Sequence, residues 1–126
     1  MRLAKIPRRE WSALHQELRN FHYYTARVFV PGTEEHRALL NEHGIVVGAV
    51  SYSIETDRVR VYSLGSMVRG GGTQLMNHVE RVAQKRGVPV RLAAERAALG
   101  FYLKRGYTKI PGQKKTCKIL YLSLRF

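Results

Sequence analysis

A chain of 126 residues is sized for a single domain, and residues 1–126 are read as one. With 44% hydrophobic and 25% charged residues it is composed like an ordinary globular protein. No apolar run approaches the ~18 to 20 residues of a membrane span, and the charged N-terminus lacks the apolar core of a secretory signal. The single cysteine, Cys117, excludes an internal disulfide framework and a Cys-rich zinc site. A cytoplasmic setting is the expectation. The net charge is +13 and it is uneven: residues 81–126 carry twelve basic side chains and one acid, Glu95, while residues 1–80 carry ten and eight. Such a field draws polyanions, so nucleic acid or a ribonucleoprotein is a candidate partner of the basic C-terminal third. A merely soluble basic surface would carry the same charge.

In chain order, Trp11, Leu14 and Leu18 follow Pro7 at helical spacing and predict a helix over about residues 8–20. Arg27–Val30 reads as a short strand closed by Pro31-Gly32. His36–Glu42 and Ile45–Ile54 are strand-like, with His43-Gly44 as the turn between them. Arg58–Tyr62 alternates polar and apolar and predicts another strand. After a glycine cluster the period becomes helical, with Leu75, Met76, Val79, Val82 and Ala83 on one stripe. Gly87 stops that helix and Pro89 prevents its continuation. Val90–Ala94 predicts a buried strand, Ala97–Arg105 a helix capped by Gly106, and Lys118–Arg125 the last strand. This order predicts an α/β (α+β) fold, a mixed and mostly antiparallel central sheet flanked by three to four helices.

The glycine cluster joins a strand to a helix: Met67-Val68-Arg69-Gly70-Gly71-Gly72-Thr73. Three glycines leave backbone N–H groups uncovered, and the helix start adds unpaired donors and a positive dipole end. Together these make an anion cradle suited to a pyrophosphate, with Arg69 as a charged contact. A Walker A loop would need Gly-Lys-Ser/Thr, and a dinucleotide loop an acid about 20 residues on; neither is present. A glycine turn by itself also serves as a flexible connection.

A second segment, Gly100-Phe101-Tyr102-Leu103-Lys104-Arg105-Gly106-Tyr107, lies about 30 residues downstream. Taken together, the two segments resemble the GNAT N-acetyltransferase superfamily. Its coenzyme A loop reads Gln/Arg-x-x-Gly-x-Gly/Ala, matched here at Gly70 and Gly72, and its later helix commonly reads Gly-Phe-Tyr-x-x-x-Gly-Phe. Met67 stands at the Gln/Arg position, where Arg69 is placed to compensate. The resemblance covers about residues 27–126. It implies transfer of an acetyl group from acetyl-CoA to a primary amine, without a metal. It implies coenzyme contacts from Val61, Tyr62 and the loop Met67–Thr73, with Tyr102 as proton donor to the departing thiolate.

The strand before the loop lacks the acid that many members use as a base. Glu95 is the candidate in its place, although a lone carboxylate among cations also serves in ion pairs. His22 and Tyr24 are candidates for the acceptor side. The other histidines show no metal-ligand spacing. Acceptors attached to tRNA, the ribosome or DNA would use the surplus charge. The alternative function is a module that keeps the fold, has lost catalysis and binds nucleic acid. Uncovered sheet edges make a homodimer a further expectation.

Overall fold

The computed structural model describes residues 1–6, 34–114 and 118–126. The chain enters on β1 (Arg2–Lys5), then β2 (Glu34–Leu40), β3 (Val46–Ile54) and β4 (Val59–Ser66). Helix α1 (Gly71–Arg86) leads to β5 (Val90–Glu95), and α2 (Arg96–Lys104) leads to β6 (Thr108–Lys109) and β7 (Ile119–Leu124). All seven strands form one sheet in the order β1-β2-β3-β4-β5-β7-β6. Every pairing is antiparallel except β4 with β5, which α1 connects by a crossover. The expected α+β class is therefore observed. Of the three to four helices expected, two lie among the described residues; the helix over 8–20 and the strand over 27–30 fall outside them, as does Cys117.

Local chemistry explains the breaks. The Asn41 side chain accepts from the amides of His43 and Ile45, and Gly44 takes φ 76°, which closes the β2–β3 turn. Helix α1 ends where Gly87, at φ 68°, turns its amide back to Ala83 and Gln84. Its apolar stripe packs on the sheet: Leu75, Met76, Val79 and Ala83 are fully buried against Val50, Tyr52, Val59, Val61 and Val90. Alternation along β5 turns Val90, Leu92 and Ala94 toward this core and Arg91, Ala93 and Glu95 toward the opposite face.

His78, on α1, reaches the hydroxyl of Tyr52 through Nε2 at 2.9 Å. Burial, with the Arg37 and Arg81 charges, pushes its imidazole below the ordinary value of 6.5, so the fold favours neutral His78. Its contribution to stability is full above about pH 6.5 and is lost as the pH falls toward the folded-state pKa. The melting temperature of His78→Gln should therefore fall less than that of wild type between pH 7.5 and 5.5. Parallel curves would show that His78 does not carry this dependence.

Candidate active site

The parallel ladder between β4 and β5 is short. It runs Val59↔Val90, Arg60↔Arg91 and Val61↔Leu92, and beyond that point the two strands part. β5 continues to Glu95 paired with β7, whereas β4 continues to Ser66 paired with β3. The register between β3 and β4 slips between Ser51 and Tyr52, passing over Tyr62. A bulge of this kind bends its strand and re-aims the residues beside it, and here it sits where β4 leaves β5. The crevice opens at the carboxyl ends of the two parallel strands, where α1 and α2 begin, which is where sheets of this kind hold ligands. Val61 is still in the ladder; the diverging stretch of β4 is Tyr62–Ser66, so the strand runs four residues beyond the end read from the sequence.

The cradle at the head of α1 can be resolved amide by amide. Met67 N–H donates to the Val47 carbonyl at 2.7 Å, Val68 N–H to Ser66 Oγ at 3.2 Å, and Gly71 N–H to the Val68 carbonyl at 3.2 Å. Ser66 Oγ in turn donates to the Val68 carbonyl at 2.8 Å. Those three amides build the loop. The helix ladder starts with Gln74 N–H to the Gly70 carbonyl. Among the described residues, the amides of Arg69, Gly70, Gly72 and Thr73 have no acceptor. No side chain caps this terminus and no acid lies in its first turn, so its positive end is uncompensated. The glycines serve different ends. Gly70 is the N-cap at φ 81°, and a Cβ on Gly71 would collide with Ser66 and Leu39. A Cβ on Gly72 would touch the Phe101 ring at 3.4 Å.

That last contact brings α2 against the cradle. Phe101 lies edge-on to Tyr102 at 5.1 Å, and Tyr102 edge-on to Tyr107 at 5.5 Å. Tyr102 is 7% exposed, and its hydroxyl makes no hydrogen bond among the described residues. Burial pushes its phenol far above the usual range, with Arg105 opposing and Glu80 adding to the rise. The end of α2 is fixed by Glu80 of α1. Its carboxylate accepts from Arg105 Nε at 3.1 Å, Arg105 Nη2 at 2.6 Å and Tyr107 OH at 2.9 Å. Asn77 Oδ1 takes a further bond from Arg105 Nη2 at 2.6 Å. The sequence reading passed over Glu80, although it is the sole acid on α1.

Glu95 stands at the opposite wall. It is the N-cap of α2 by backbone, its side chain makes no capping bond, and it forms no ion pair among the described residues. The ion-pair reading of this acid thus finds no partner there. It lines a cavity of about 380 Å³ on the sheet face away from α1, together with Arg58, Arg60, Tyr62, Arg91 and Tyr121. Tyr62 OH and Ser53 Oγ share a hydrogen bond of 2.9 Å. His22 and Tyr24 lie outside the described residues.

Comparison with known proteins agrees with this fold. An uncharacterised Bacillus subtilis protein, YxbD, is 33% identical over 75 residues, covering 55% of this chain and 47% of that protein. The match thus spans about half of that relative's length. The ribosomal-protein-S18-alanine N-acetyltransferase of Escherichia coli superposes with a TM-score of 0.74 at 12% identity, over 98% of this chain and 92% of that one. The PaiA N-acetyltransferase of Thermoplasma acidophilum, solved in complex with coenzyme A, gives a TM-score of 0.62 at 14% identity, over 75% and 62% of the two chains. The model of the acetyltransferase (GNAT) family matches residues 1–107, and the chain belongs to that family.

Proposed function

We propose that the protein transfers an acetyl group from acetyl-coenzyme A to a primary amine. The observation that carries this reading is the set of acceptor-free amides at Arg69, Gly70, Gly72 and Thr73, set at the mouth of a parted parallel strand pair. Four acceptor-free N–H groups on an uncompensated helix terminus suit a pyrophosphate. The exposed Arg69 side chain adds charge at the same place. When bound, acetyl-coenzyme A supplies the activated thioester. The diverging edge of β4 from Tyr62 onward offers main-chain groups to its pantetheine arm. Glu95 takes the proton from the incoming ammonium, because an amine must be neutral to attack. Tyr102 stays protonated at neutral pH, so it hydrogen-bonds the departing sulfur rather than releasing its proton fully. The basic residues of the C-terminal third steer anionic acceptors toward the sheet, an amine carried on nucleic acid among them.

Calorimetric titration with acetyl-coenzyme A tests the reading, and micromolar binding is the expected result. Thr73→Asp makes the test sharper. A carboxylate in the first turn suits the helix dipole and should leave stability unchanged or raise it by about 0.3–1 kcal/mol. The same charge should weaken coenzyme binding at least tenfold by repelling phosphate. A Thr73→Asp protein that binds as tightly as wild type would place the coenzyme elsewhere.

A further inference from the structure

The cavity on the far face of the sheet is lined by three arginines, two of them held in ion pairs. Arg58 is 3.0 Å from Asp57, and Arg60 is 3.1 Å from Glu55. Arg91 differs from both. Its Nε is fully buried without a hydrogen-bond partner, and the side chain makes no ion pair among the described residues. A guanidinium placed this way is partly desolvated, and its charge meets the protein only through a long-range attraction to Asp57, which Arg58 already pairs. Its planar fork suits a carboxylate or a phosphate.

The strand places Arg91, Ala93 and Glu95 in line on one face, with the small Ala93 between the unpaired cation and the unpaired acid. Ile110, Ile119 and Tyr121 form an apolar wall beside them, the last two about half exposed. A cation at one end, a carboxylate at the other and an apolar side together match a molecule with opposite charges at its two ends.

We propose that this cavity holds the acceptor, and that the acceptor is a small amine bearing its own anionic group and an apolar body. Arg91 grips the anion, and Glu95 faces the amine. The amine half of this assignment rests on the acetyl-transfer reading above; the anion half stands on Arg91 and the cavity.

The test uses probes that lack the amine. Nuclear magnetic resonance titration of the full chain with 3-phenylpropionate, phenyl phosphate and the neutral 3-phenylpropanol should shift the amides of residues 91–95 and 119–121. Saturation by at least one anion and none by the alcohol is the expected result, and the better anion separates carboxylate from phosphate. Arg91→Met should weaken that binding tenfold or more, and Arg91→Lys less. Arg91→Met should leave the melting temperature unchanged or raise it slightly, because it removes a half-buried guanidinium whose Nε has no hydrogen-bond partner. A purely structural arginine would lower it. The proposal is overturned if neither anion saturates these amides, if Arg91→Met binds as wild type does, or if only an oligonucleotide shifts them. Failure of the acetyl-coenzyme A titration alone would remove acetyl transfer and leave the anion site standing.

Discussion

Replacing Glu80 with alanine should cost about 3–5 kcal/mol of folding stability, a large share of the ~5–15 kcal/mol that holds such a domain together. Its carboxylate takes two bonds from Arg105 and one from Tyr107, and the Glu80 and Arg105 side chains are only 15% and 14% exposed. Truncation leaves a buried guanidinium with only Asn77 and a buried phenol with nothing. Tyr107 already sits where burial and Glu80 hold its proton tightly, so it cannot recover by ionising. Arg105 also lies over the Phe101 ring at 5.7 Å, so loosening it loosens the helix that carries Tyr102. Urea denaturation would measure the loss. Replacing Glu80 and Arg105 together with methionine should recover part of it, because no charge is then left stranded. A single-variant loss under about 1 kcal/mol would mean that the pair behaves like an exposed surface bridge.

How far the sequence could be read depended on how local each feature is. The strand-like run of β3, the stripe of α1 and its Gly87 stop are set by neighbouring residues, and they match within a residue or two. β1 escaped notice because only four residues form it, two of them charged and exposed at its ends. β6 is two residues long and exists only through its pairing with β7. The parting of β4 from β5 is a matter of long-range register, so β4 seemed to end at Tyr62 when it runs to Ser66. The glycine cradle was legible as a loop. Its division into amides that build it and amides left without an acceptor depends on Val47 and on the Ser66 hydroxyl, which no local pattern displays. Arg91 was visible only as one cation among twelve. Its alternation with Ala93 and Glu95 was nevertheless there to be read, and it is the sheet that turns that pattern into one wall of a cavity.

Replacing Tyr102 with phenylalanine should reduce kcat roughly 100-fold while leaving the coenzyme dissociation constant within about threefold. One observation opposes a purely structural tyrosine. The ring is fully integrated in the core beside Phe101 and Tyr107, yet the hydroxyl makes no hydrogen bond among the described residues. A hydroxyl with no protein partner among the described residues leaves phenylalanine no hydrogen bond to lose, so Tyr102→Phe should melt close to the wild-type temperature. A large kinetic loss in a protein that is no less stable is hard to ascribe to damage. The raised phenol pKa adds a second expectation. Because Tyr102 does not ionise in the working range, wild type and Tyr102→Phe should show the same limbs in their pH profiles, differing in height alone. Transfer to an ordinary thiolate, whose acid has a pKa near 8.5, would be uphill from so weak an acid. Stabilising the sulfur by hydrogen bonding is therefore the role that fits. Equal kcat in the two proteins would remove Tyr102 from the reaction and leave it a packed aromatic of α2.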